Sequence, residues 1–93
     1  MSTNKKKGFF TVINHKGLHT RPSTELVKCV SKFKSDITLR HQNITINAKS
    51  LLGILTLAAA RGSKIEVYAE GEDAEEAVKT ILELAENKFY IHY

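Results

Sequence analysis

The 93-residue chain has one cysteine, one proline and no tryptophan. A single cysteine excludes an internal disulfide framework. With so few breakers, no stretch has the composition of a linker or a low-complexity tract. No apolar run approaches the ~20 residues that a membrane-spanning helix needs, which excludes helical insertion into a bilayer. No signal-like apolar stretch follows the early lysines, so the cytosol is the expected compartment. Acidic residues are scarce over most of the length. Positions 1–65 hold two of them against twelve Lys and Arg, a balance of +10, whereas positions 66–93 hold eight against two, a balance of −6. Without the Lys5–Lys6–Lys7 run the first part still carries +7. Such a split suits nucleic acid, an anionic membrane surface, an acidic protein or a phosphate group. Composition does not choose among them.

What is present is an ordinary globular mixture, 42% hydrophobic and 26% charged. A chain of this size forms one domain and buries roughly 60% of its unfolded surface. Residues 1–7 read as a basic, disordered arm and 8–93 as the domain. Phe9–Ile13 is aromatic and β-branched, hence a strand. From Thr20 to Phe33 the apolar residues Leu26, Val27, Cys29, Val30 and Phe33 recur at helical spacing, with Pro22 in the first turn. Ile37–His41 and Ile44–Asn47 flank Gln42-Asn43 as a hairpin. Ser50 caps a short helix over Leu51–Leu57, and Ile65–Glu70 alternates as a strand. The last helix starts with a capping-box pattern, Asp73 and Glu76, and buries a stripe running from Ala74 to Phe89. The order β-α-β-β-α-β-α, with one-sided strands, implies an antiparallel sheet covered by helices on one face. The glutamates and aspartate near position 73 match the positive end of that last helix.

Four histidines compete for a chemical role. His41 lies beside the hairpin turn and His92 near the end of the chain, both read as surface positions. His15 and His19 have metal-pair spacing, but Gly17 lies between them ahead of the helix, so no metal site is expected. In Gly17-Leu18-His19-Thr20-Arg21-Pro22 the second histidine falls at a helix start, where unpaired N–H groups and the dipole favour an anion. Arg21 offers a fork of donors for phosphate oxygens, and Thr20 and Ser23 add hydroxyls. A near-neutral imidazole has a nitrogen free for attack. The group describes a histidine able to take a phosphoryl group; the bland alternative is an indifferent helix cap. In Asn47–Leu55, Ser50 is a cap followed by more leucine than a short helix needs to bury, so an exposed apolar patch is the alternative to plain core. Cys29 lies on the apolar stripe and reads as core.

Gly17-Leu18-His19-Thr20-Arg21-Pro22, Lys49-Ser50-Leu51-Leu52-Gly53 and Glu70-Gly71-Glu72-Asp73 stand in order along the chain. Together they resemble the HPr family, the histidine-containing phosphocarriers of the phosphoenolpyruvate-dependent sugar phosphotransferase system, over about residues 8–86. The resemblance implies an α+β open-faced β-sandwich, four antiparallel strands with three helices on one face. It implies a carrier rather than a stand-alone catalyst, in which His19 accepts a phosphoryl group from enzyme I and passes it to an enzyme IIA component. Arg21 would orient the phosphoryl oxygens. Ser50 would be the serine modified by an HPr kinase/phosphorylase, and Thr20, Lys49, Leu51, Leu52 and Leu55 would dock partners. It implies no cofactor, no nucleic acid and a monomer.

The sequence departs from the family pattern at three internal positions. Lys16, three before the histidine, replaces a small polar residue; Ser23 replaces alanine; and Ala58 replaces glycine near the end of the short helix. Two other readings account for some of the same residues. An HPr-like regulator or nitrogen-branch phosphorelay protein would use the same histidine and serine. A small nucleic-acid-binding domain would use the basic surface, with Lys7-Gly8-Phe9 resembling an RNA-recognition motif, although Thr11 and Asn14 stand where its later aromatics belong.

Overall fold

A computed structural model describes residues 4–91. Strand β1 (Lys5–Thr11) leads into helix α1 (Thr20–Val30), the hairpin β2 (Asp36–His41) and β3 (Ile44–Asn47), the short helix α2 (Leu51–Thr56), strand β4 (Lys64–Glu70) and helix α3 (Ala74–Glu86). A 3-10 turn at Lys88–Tyr90 follows. The strands form one sheet in the order β1-β4-β2-β3, with every neighbouring pair antiparallel. This is the expected α+β architecture: an open sheet with three helices.

Alternation puts Phe10, Ile37, Leu39, Ile65, Val67 and Ala69 on the covered face, where all are buried. They meet Pro22, Leu26, Cys29 and Val30 of α1 and Ala74, Ala77, Val78, Ile81, Leu84 and Ala85 of α3. Cys29 belongs to this core, and burial pushes its thiol up from the ordinary value, against a smaller lowering by Lys32.

Four local expectations meet a different outcome. Lys5, Lys6 and Lys7, read as part of a disordered arm, form the start of β1 and pair with Glu70, Ala69 and Tyr68 of β4. The pairing supplies an acidic cross-strand neighbour for Lys5, and lysines on an edge strand discourage pairing with another chain. Asn4 of that arm accepts the Gly71 N–H at 2.9 Å; residues 1–3 lie outside the described residues, as does His92. Helix α1 stops at Val30 instead of Phe33; the chain closes with a bond from the Phe33 N–H to the Val30 carbonyl.

Asp73 stands at the N-cap of α3, yet its side chain makes no capping bond. It reaches across to the turn before β2, accepting the backbone N–H groups of Lys34 and Ser35, both at 2.9 Å, and the Ser35 hydroxyl. These donors, the hydroxyl foremost, hold the carboxyl below its ordinary value near 3.8. The unfolded chain therefore takes up this proton at a higher pH than the folded one, so the clamp's stabilisation is present above about pH 3.8 and is lost as the pH falls below it. Urea unfolding of the parent is expected to weaken more steeply below pH 4 than that of Ser35→Ala, in proportion to the weaker clamp. Parallel curves for the two proteins would contradict this.

Phe89, read as the end of the α3 stripe, lies beyond the helix. Lys88, Phe89 and Tyr90 have φ of 55°, 55° and 64°, a left-handed turn made entirely of L residues. Phe89 is nevertheless fully buried, edge-on to Phe10 with ring centroids 5.7 Å apart. Burial of a large ring offsets the conformational cost of the turn.

Candidate functional site

The segment between β1 and α1 is fixed from several sides. Val12 is buried and exchanges backbone bonds with Gly62 and Ser63. Asn14 is buried, and its carbonyl accepts the Gly17 N–H at 2.9 Å. Gly17 takes φ +74° and lies against the chain at 59–60; a Cβ there would come 2.4 Å from the Ala59 carbonyl oxygen. That same oxygen accepts the Leu18 N–H at 2.9 Å. The loop therefore delivers His19 in a fixed backbone position.

His19 is the N-cap of α1 in an extended conformation (φ −72°, ψ −177°), and its carbonyl accepts the Ser23 N–H at 3.0 Å. Its side chain makes no capping bond and is exposed. The imidazole is thus not used as a helix cap. Thr20 and Arg21 follow it in the first turn, both exposed, and that turn contains no acidic residue. The positive end of an eleven-residue helix therefore faces solvent without a built-in carboxylate. Pro22 has no N–H to lose at a position where none would be paired within the helix.

Ser23 does not belong to this polar set. It is buried, and its hydroxyl donates to the Leu18 carbonyl at 3.1 Å, which tightens the helix start instead of facing an anion. Thr24 does not replace it: its hydroxyl donates back along the helix to the Thr20 carbonyl at 2.7 Å.

An open depression of about 360 Å³ is lined by Lys16, Leu18, His19, Thr20, Leu55, Ala58, Ala59 and Ala60. Lys16 thus brings a cation to the same hollow as the imidazole. Ala58 holds φ +49° at the C-terminal end of α2, where glycine is the favoured residue. Ala58→Gly is expected to raise stability by about 0.5–1 kcal/mol, the relief of left-handed strain less the greater unfolded-state freedom of glycine. Thermal unfolding checks this, and an unchanged or lower Tm would contradict it.

The second motif divides. Ser50 caps α2, its hydroxyl oxygen accepting the Gly53 N–H at 2.9 Å, and Ile54 is fully buried. Leu51 and Leu52 are 36% and 74% exposed and form an outward apolar edge. Leu55 instead turns to the depression beside His19. Lys49 does not project freely: its ammonium donates to the Phe33 carbonyl at 2.9 Å and ties the turn before α2 to the segment that follows α1.

The other described histidines have poorer settings. His15 is exposed on the loop, and the His41 Nδ1, at the end of β2, lies 3.4 Å from the Lys64 carbonyl at the start of β4. No three His, Cys, Asp or Glu among the described residues are grouped to hold a metal ion. No helix among them is long and apolar enough to cross a membrane.

Residues 6–87 match the family described as "PTS HPr component phosphorylation site". The chain is 44% identical over 79 residues to a phosphocarrier protein HPr of Xylella fastidiosa, covering 85% of this chain and 89% of the relative. It is 41% identical over 78 residues to that of Treponema pallidum, covering 84% and 89%. The crystal structure of HPr-C-His from Thermoanaerobacter tengcongensis superposes with a TM-score of 0.89 at 39% identity, covering 95% of this chain and 99% of that one.

Proposed function

Because the chain belongs to the HPr family of phosphocarrier proteins, we propose that His19 is its phosphoryl acceptor. The group arrives from phosphorylated enzyme I and leaves to an enzyme IIA component. The observation that carries this reading is the exposed imidazole at the start of α1, uncommitted to capping, with Arg21 in the same turn and no carboxylate there.

The chemistry follows from that position. The lone pair of the His19 Nδ1 attacks phosphorus as the bond to the donor atom of enzyme I breaks, and the electron pair of that bond returns to the donor. The incoming phosphoryl oxygens meet the positive end of the helix and the Arg21 guanidinium, which stabilise charge as it arrives. An open hollow leaves the far side of phosphorus free for in-line attack by the next protein. A deep pocket would exclude both donor and acceptor.

Leu51 and Leu52 supply an apolar docking edge and Leu55 an apolar wall of the hollow, and the basic surface near Lys16 and Arg21 suits acidic partners. Lys49 contributes by holding α2 in place. Ser50 is the site of regulatory phosphorylation by an HPr kinase/phosphorylase. New charge at this position lies beside the docking edge, so it opposes an acidic partner with little change of fold.

The test is incubation with enzyme I and phosphoenolpyruvate carrying labelled phosphorus. The protein is expected to gain acid-labile label and to lose it when an enzyme IIA component is added. Absence of label would overturn the reading. Ser50→Asp retains a good N-cap residue and is expected to slow labelling about tenfold through repulsion at the interface. Equal rates in the variant and the parent would contradict the role given to Ser50.

A further inference from the structure

We infer that Asn14 is a positioning residue for His19, a clamp that fixes the acceptor loop to the left-handed turn at Lys88–Tyr90. This rests on the reading of His19 as the acceptor. The Asn14 side chain is fully buried. Its Nδ2 donates to the Lys88 carbonyl at 2.9 Å and lies 3.5 Å from the Ile91 carbonyl. Its own backbone carbonyl accepts the Gly17 N–H. One residue therefore joins the C-terminal segment, 74 positions away, to the glycine two before the imidazole.

The far end of the clamp is held independently. Phe89 is buried against Phe10, and Ile91 is buried and donates its N–H to the Lys88 carbonyl at 2.9 Å. The left-handed conformation of three consecutive L residues is disfavoured in isolation. Here it sets the carbonyls of Lys88 and Ile91 around the Asn14 amide. The buried Nδ2 is an expensive group to leave without acceptors, and its bonds run from the strained turn to the loop that carries His19. Freeing the loop broadens the positions available to the imidazole. A small displacement of a nucleophile slows transfer without altering the docking edge.

Phosphorylation of the full chain by enzyme I, followed over a range of carrier concentrations, separates KM from kcat. Asn14→Asp, which keeps the shape but loses the donor, and Asn14→Ser, which keeps a shorter one, are compared with Val67→Ala. The last loosens the core under β4 without altering either clamped segment. For both Asn14 variants kcat is expected to fall about tenfold with KM within about twofold of the parent, and Asn14→Ser is expected to be the less impaired. Hydrogen exchange in the unsubstituted protein gives a second reading: the amides of Gly17 and Ile91 are expected to open together and to respond in parallel to urea.

A kcat unchanged in both Asn14 variants, or an equal loss in Val67→Ala, would overturn the inference. Independent opening of Gly17 and Ile91 would do so even if the Asn14 variants fail to fold. Failure of the parent to become labelled would instead overturn the role of His19, and the exchange result would still decide whether the clamp exists.

Discussion

Gly17→Ala is expected to destabilise the protein by about 2–4 kcal/mol, a large effect for one methyl group. Two costs combine. The φ of +74° lies in the left-handed region, and the new Cβ would meet the Ala59 carbonyl oxygen at 2.4 Å and the Ala60 Cα at 3.0 Å. Both neighbours are backbone, so neither can rotate away. Relief requires the loop to move off residues 59–60, which breaks the bond between the Leu18 N–H and the Ala59 carbonyl. For a domain of this size the loss corresponds to roughly 10–25 °C in Tm. Ala59 and Ala60 also line the hollow beside His19, so the folded variant is expected to accept phosphoryl groups more slowly as well. A Tm within a few degrees of the parent would show that the contact between loop and chain is not what holds the site.

His19→Ala has the opposite profile. The side chain is exposed and makes no capping bond, so thermal unfolding is expected to change little. Label from enzyme I, in contrast, is expected to disappear, with any residual rate lower by on the order of a thousandfold or more, the usual cost of removing a nucleophile. Among the described residues, His15 and His41 remain in this variant. His15 is four residues from His19 but outside the helix, and His41 lies next to β3, so neither inherits the helix start or Arg21. A folded His19→Ala protein that still takes up label at the parental rate would contradict the assignment.

The element order, the hairpin about Gln42-Asn43, the helix start at His19 and the cap at Ser50 are legible because each depends on residues close in sequence. Period-two and period-3.6 patterns identify a strand or helix from a few neighbours. The features that differ depend on partners far away. Lys5–Lys7 carry no strand signal of their own; β4 supplies the pairing. Asp73 has the spacing of a capping box, but the turn at Lys34–Ser35 offers three donors and takes the carboxylate. Phe89 follows the helical stripe in sequence and reaches the core through a left-handed turn that no periodicity encodes.

The site divides along the same line. The grouping of His19, Thr20 and Arg21 in one turn is local and was readable from Gly17 to Pro22. Leu55 beside His19, Lys49 bound to Phe33 and Ser23 turned inward each result from tertiary packing. In sequence Asn14 stands out only as a position where an RNA-recognition motif would carry an aromatic residue. Its burial against the Lys88 and Ile91 carbonyls has no signal within the loop itself.

The assignment of the acceptor is tested most directly in the unsubstituted protein. Nitrogen-15 and phosphorus-31 NMR on the labelled chain, recorded during phosphorylation by enzyme I and phosphoenolpyruvate, identifies the ring and the nitrogen that carry the group. Phosphorus coupling to the Nδ1 of His19 is predicted, with the rings of His15 and His41 unchanged. Coupling to another histidine, or a phosphorylated chain with the His19 ring unaltered, would contradict the account.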